Sequence, residues 1–490
     1  MKINYLVFFL TLGLFYSCDP GELKTPAEWN DFKEPSTYEE IISFCADITQ
    51  RSQLLEQEIF GHSAEGRDLL VVNAGKRESQ KDDRLRVLLF AQQHGNEQAG
   101  KEASLFLLKE IAKGYLDHLF NDMELWIVPQ LNPDGSELNQ RRNITGQDLN
   151  RDHLVLEAPE TVSLHRLFRK IMPHVSIDVH EYQPYRQSWK EFGAYKDFDV
   201  QVGVNTNINI DSNIRWFSLE RALPAIEEHL ESLGYSFHNY IVGPPPDEGI
   251  TRYSTTHIDD GRQSFGILNT MSFIFEGKNG RDGFVDMLEH RTQSQAEALK
   301  ALLDFLANER HEAIEIVTSA REHLVSDRSG EKVAIRTQYA PDGSLLPLHL
   351  KSATTGEDTL VMAENYRPLV IPETETDMPL GYLIPRKDQN LMRWVNIHGL
   401  YRLNNMPAGT SVYGWYLRPM HYSNGGKPLK RQVDLSDIHE QFIYLPVRQL
   451  HSNFLVLALE PMSDIGLVQE SSFEYLLKEK EWYPIYRIEY

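Results

Sequence analysis

The chain has 490 residues, 41% of them hydrophobic, and a formal net charge of −22. That apolar content excludes general disorder, and the length exceeds what one compact core ordinarily serves, so two folded units are expected. So acidic a surface argues against nucleic acid or anionic lipid as a partner, since both select positive patches, and no Gly-rich phosphate loop stands out.

In chain order, Met1-Lys2 precedes an apolar run over residues 5–15 that is too short to span a membrane and long enough for an export signal. Cys18 follows at once. The pattern resembles a bacterial lipoprotein signal, which implies residues 1–18 as signal, acylation of Cys18, and a periplasmic or surface-exposed protein anchored to the outer membrane. Phe15 and Tyr16 are bulky for the positions before cleavage, and ordinary secretion is the alternative. Residues 19–36 are polar, carry Pro20, Pro26 and Pro35, and read as a tether. With lipid on Cys18 the second cysteine, Cys45, has no partner for a disulfide; in the run Ile41-Ile42-Ser43-Phe44-Cys45 it is expected to be a buried apolar residue.

Strands are expected near 68–73, 85–91, 124–129, 174–180 and 271–276, and helices near 98–113, 159–171, 217–233 and 286–309. Their alternation predicts an α/β sandwich with a mixed sheet, filling residues 37–326. A helical pattern runs on from 294 to 324 and is expected to link two domains. Beyond residue 326 the texture changes to β-branched runs broken by turns, such as 332–336, 381–385, 411–417 and 454–458. These predict a smaller, mainly β accessory domain over 327–490. Its role stays unassigned, with Trp394, Trp415 and Trp482 read as core rather than as a glycan-binding surface.

The chemistry concentrates where strands end. His94 and Glu97 lie on the turn between the strand at 85–91 and the helix at 98–113. A zinc site that does chemistry needs three nitrogen or carboxylate ligands and an open fourth position, so this pair calls for a third ligand elsewhere. His180 closes the strand at 174–180, at the sheet edge where open α/β folds bind ligands. Four further features follow in order: the turn Asn132-Pro133-Asp134-Gly135, then Arg141, then Asn150-Arg151, and finally Glu276 closing Ser272-Phe273-Ile274-Phe275. Each has a bland reading. His-x-x-Glu starts helices, Arg141-Arg142 is a solvated basic pair, Asn150-Arg151 caps a helix or bridges to Asp152, and Glu276 pairs with Lys278 or Arg281.

Taken in this order, the motifs resemble those of the zinc carboxypeptidases related to carboxypeptidases A and B, over roughly residues 55–310. The resemblance implies an α/β sandwich of the zinc carboxypeptidase type and one zinc ion held by His94, Glu97 and His180. It makes Glu276 the general base, Arg141 the group that polarises the scissile carbonyl, and Asn150 with Arg151 the grip on the substrate's terminal carboxylate. Tyr253 is the nearest match to the family's mobile-loop tyrosine, although its neighbours do not fix the register. Asp178 reads as an orienting partner of the His180 imidazole. Asp259 and Asp260 fall in the segment that sets specificity and favour a basic terminal side chain; Arg262 argues the other way. The implied activity is hydrolysis of the C-terminal peptide bond of a peptide or peptidoglycan-derived substrate. An amidase acting on peptidoglycan stems or N-acyl amino acids with the same zinc site is one alternative. A non-catalytic peptide or glycan binding module is another.

Overall fold

The computed structural model describes residues 23–75, 83–416, 429–434, 441–477 and 482–489. The export signal and Cys18 lie outside the described residues. An eight-stranded mixed sheet organises the first two thirds of the chain. Across it run Leu55–His62, Asp68–Ala74, Met123–Val128, Leu85–Ala91, Val175–Tyr182, Met271–Lys278, Val200–Gly203 and Phe237–Asn239. The four central strands are parallel to one another. Parallel strands are covered on both faces, which is why they read as unbroken apolar runs: Val87, Leu88, Leu89, Phe90 and Ala91 are all fully buried. Helices Gln98–Ala112, Leu223–Ser232 and Leu288–Asn308 pack together as part of that cover.

All five expected strands form, and three more join them. Leu55–His62 is a solvent-facing edge strand with little apolar signal, and Val200–Gly203 and Phe237–Asn239 are too short to show a period. The long helical pattern is two helices, Leu288–Asn308 and Arg310–Val325, separated by a non-helical Glu309. The expected tether is folded from Leu23 onward. Thr25 caps the helix Pro26–Trp29 in a reciprocal capping box, Ala27 is fully buried, and Glu28 accepts a bond from Lys109 Nζ at 2.6 Å. Ser36 closes the segment by donating from backbone and hydroxyl to Glu102, each at 2.7 Å. Cys45 is buried, and its thiol is pushed up to about 12 by burial.

The last third of the chain is rich in strands, among them a five-stranded sheet. The run at 454–458, expected as a strand, is part of the helix Ser452–Leu459, in which every residue is buried. A helix apolar on all sides has no amphipathic period, so sequence alone does not separate it from a buried strand. This region shares sheets with the first. Ala194–Lys196 pairs with Leu346–Ser352, and Thr251–Tyr253 pairs in parallel with Tyr366–Arg367. Trp394 Nε1 and His398 Nε2 both donate to the Leu154 carbonyl at 2.9 Å, and one hydrophobic cluster runs through both parts.

Candidate active site

His94 sits three residues past the end of Leu85–Ala91, on a loop braced by two glycines. A Cβ on Gly95 would stand 2.1 Å from the Gly135 carbonyl carbon, so residues 94–96 lie directly against the Asn132–Gly135 segment. That segment is the start of a short helix, Pro133–Glu137. Asn132 Oδ1 accepts from Gly135 N at 2.9 Å, and Asn132 Nδ2 donates to the Gln93 carbonyl at 3.0 Å. The motif read as a turn is therefore the brace behind the histidine loop.

His94, Glu97 and His180 converge, with one ligand atom from each lying within 4.8 Å of the others. His94 Nδ1 is 2.7 Å from Glu97 Oε1, and His180 Nδ1 is 2.8 Å from Glu97 Oε2. The outward nitrogens are engaged as well: His94 Nε2 is 3.1 Å from Asp148 Oδ1, and His180 Nε2 is 2.9 Å from Asp178 Oδ1. Carboxylates on Nε2 fix the tautomer that leaves Nδ1 lone pairs pointing inward. Those two Nδ1 atoms face each other at 3.1 Å, an arrangement that asks for a cation between them. Two imidazoles and one carboxylate, all buried, suit one zinc ion. Burial alone would raise the Glu97 pKa; the adjacent His94 and His180 outweigh it and hold the carboxyl low, as an anionic ligand requires.

Behind the ligands runs a polar chain that sequence reasoning missed. Gln93 Nε2 donates to Asp178 Oδ2 at 2.9 Å, and Gln93 Oε1 accepts from His153 Nε2 at 2.8 Å. His153 Nδ1 then pairs with His165 Nε2 at 3.0 Å. Burial holds His153 down to about 4, so it is neutral and able to donate from one nitrogen while accepting at the other. Glu181, adjacent to His180, is locked by Arg291 and by Ala99 N, and its own N–H donates to Glu97 Oε2 at 3.1 Å.

Glu276 comes in by register. Met271–Lys278 and Val175–Tyr182 pair in parallel with Glu276 opposite His180, which sets a buried carboxylate beside the ligand cluster. Burial raises its pKa, and it accepts a hydrogen bond from Tyr240. The ion-pair alternatives go elsewhere: Lys278 binds Asp197, and Arg281 lies over the Tyr185 ring at 5.4 Å. Tyr240 is a further residue missed from sequence. Tyr253 is instead held in a short strand, with its ring 6.2 Å from Tyr366 and a hydroxyl bond to that residue.

Arg141 is half-exposed over the cluster, bonding Asp148 Oδ2 through Nε at 3.0 Å with Nη1 3.2 Å from His94 Nδ1. Asn150 is buried, and its Oδ1 accepts from Gly261 N at 2.8 Å. Arg151 is exposed. Partial burial would lower its pKa, but Asp259, Asp260 and Asp148 outweigh that and keep the guanidinium charged.

A triad able to hold a metal ion thus stands at the carboxyl ends of parallel strands, with a buried carboxylate one strand away. Residues 41–191 match the family model for zinc carboxypeptidases. Among curated relatives, carboxypeptidase 2 of Trichophyton rubrum is 28% identical over 362 residues, covering 69% of this chain and 64% of its own length. Carboxypeptidase E of Caenorhabditis elegans is 30% identical over 152 residues, 26% of this chain and 31% of its own. The chain thus spans somewhat under two thirds of the first curated relatives it matches. Carboxypeptidase A of Helicoverpa armigera is a similar solved structure, with TM-score 0.45, 16% identity, and coverage of 56% of this chain and 75% of its own.

Proposed function

We propose that this chain hydrolyses the C-terminal peptide bond of peptides, with Glu276 as general base. The observation that carries this reading is the register of Glu276 beside His180, which puts a buried carboxylate outside the ligand set and next to it. His94, Glu97 and His180 would hold one zinc ion, which would polarise a carbonyl and acidify water. Glu276 takes a proton from the attacking water and returns it to the departing amine, and Tyr240 keeps the carboxylate aimed. Arg141, half-exposed beside the ligands, bonds the carbonyl oxygen as negative charge grows there. Arg151 meets the substrate's free carboxylate with its planar fork, and Asn150 positions the loop beneath it. The names of the relatives, carboxypeptidase 2 and carboxypeptidase E, support the same reading.

The test is amino-acid release from a mixed peptide panel by zinc-loaded protein lacking residues 1–18, beside Glu276→Gln and C-terminally amidated peptides. Release abolished by both the substitution and amidation is expected. Cleavage of amidated peptides at an unchanged rate would move the assignment to an amidase. We also propose, from residues 1–18 alone, export with lipid on Cys18; acyl labelling of the cysteine tests it, and an unlabelled soluble protein overturns it.

A further inference from the structure

Asp178, which faces the outer nitrogen of His180, takes the hydrogen bond at its other oxygen from Gln93. A primary amide has two ends of nearly equal shape, one donating and one accepting, so a glutamine serves a carboxylate only while it is kept from turning over. Gln93 is fully buried, and its contacts fix which way it lies. Its Nε2 donates to Asp178 Oδ2 at 2.9 Å and to Asn150 Oδ1 at 3.3 Å. Asn150 is oriented in turn, because the same oxygen accepts from the backbone N–H of Gly261 at 2.8 Å. At the far end, Gln93 Oε1 lies 2.8 Å from His153 Nε2.

The direction of this chain follows from its anionic end. A carboxylate only accepts, so Gln93 turns its NH2 to Asp178 and its oxygen to His153, and His153 must carry its proton on Nε2. That leaves His153 Nδ1 as an acceptor, and both side chains within its reach can donate: His165 Nε2 at 3.0 Å and Ser264 Oγ at 3.3 Å. Burial holds the His165 imidazole well below its ordinary pKa, so it is neutral like His153. The His153 backbone is pinned as well, its N–H donating to the Asp259 carbonyl at 3.1 Å, and its ring stands edge-on to Phe265 at 5.8 Å. A buried polar chain holds a single arrangement when every member is paired, and loses it when one is removed.

We propose that His153 is a positioning residue for the metal centre: by donating from Nε2 it sets the Gln93 amide, which sets Asp178 and through it the His180 imidazole. The inference rests on the metal-site reading of His94, Glu97 and His180. The ring's own hydrogen bonds go to Gln93, His165 and Ser264 rather than to a ligand, so His153 acts at a distance from the metal. Without its N–H the amide is free to present Oε1 to Asp178, oxygen against oxygen, and the carboxylate leaves its place opposite His180 Nε2.

Substitutions that copy one nitrogen at a time separate this role from packing. Glutamine puts an NH2 near the place of Nε2, asparagine near that of Nδ1, and phenylalanine keeps the ring with neither. Zinc dissociation constants by chelator competition, and urea midpoints of the zinc-free proteins, are measured for the wild type, His153→Gln, His153→Asn and His153→Phe. Expected is zinc affinity close to wild type in His153→Gln and about tenfold weaker in the other two, the lower end of what loss of an orienting partner costs, whatever the order of the urea midpoints. The reverse order, with His153→Phe nearest the wild type, makes His153 a packing residue and overturns the proposal. Equal affinity in all four proteins, or equal loss in all three variants, overturns it too. If no His153 variant folds, Gln93→Met decides: weaker zinc binding supports the chain and unchanged binding overturns it. A wild type that takes up no zinc overturns the metal-site reading and the inference with it, whereas zinc bound by the wild type keeps that reading whatever the variants show.

Discussion

Each ligand is held from behind, and the holding groups are where the finest tuning lies. Asp178 faces the outer nitrogen of His180 and is itself held by Gln93. Asp178→Asn is expected to weaken zinc binding about 10- to 100-fold, measured by competition with a chromophoric chelator, while the far-ultraviolet circular dichroism stays unchanged. That His94, Glu97 and His180 cluster was legible from the turn and strand end they occupy together with the order of the later motifs and the family that order resembles, since the His-x-x-Glu spacing by itself is weak. Asp178 was legible as well, two residues from the ligand it serves. Tyr240 was not. It sits beyond a three-residue strand, and its meeting with Glu276 arises from sheet pairing that no local pattern announces.

The elements bring these residues together by contacts that tolerate no added atoms. Gly95 lies where the histidine loop meets the backbone of Gly135 and Ser136, and backbone does not move aside as a flexible side chain does. Gly95→Ala is therefore expected to cost about 2–4 kcal/mol, in the range of other overpacking and strain effects, and to lower zinc occupancy. Denaturant midpoints and metal content of the purified variant check it; an alanine variant with unchanged stability and full zinc would refute the close packing. The strands and helices around the site were read correctly because buried parallel strands and amphipathic helices carry strong periods. What escaped were weak signals: an edge strand facing solvent, strands of three or four residues, and the helix Ser452–Leu459, whose uniform burial erases its period.

For the whole molecule, the junction between the two parts carries a cluster of carboxylates. Glu470 is pushed up to about 7, first by burial and then by Asp259, Asp152 and Glu157. Its folded pKa lies above its unfolded value near 4.5, so folding favours the protonated form: the stabilisation is full below the unfolded value and is lost as pH rises to about 7. Glu470→Gln is expected to stabilise the protein by about 1 kcal/mol at pH 8, after allowing for solvent screening of a partly exposed group, and to change nothing at pH 4. Urea midpoints at the two pH values read this directly. Truncation after residue 326 is expected to give insoluble protein, because it uncovers the core shared with Trp394 and the Ser452–Leu459 helix; a soluble, cooperatively melting fragment would count against that. The change of texture after 326 marks where the strand-rich region begins, and texture does not report which strands pair across that boundary. The pairing of Thr251–Tyr253 with Tyr366–Arg367 has a temporal meaning. A ribosome that has already delivered every candidate catalytic residue must still make about 90 more before Tyr366 and Arg367, the strand partners of Thr251 and Arg252, exist.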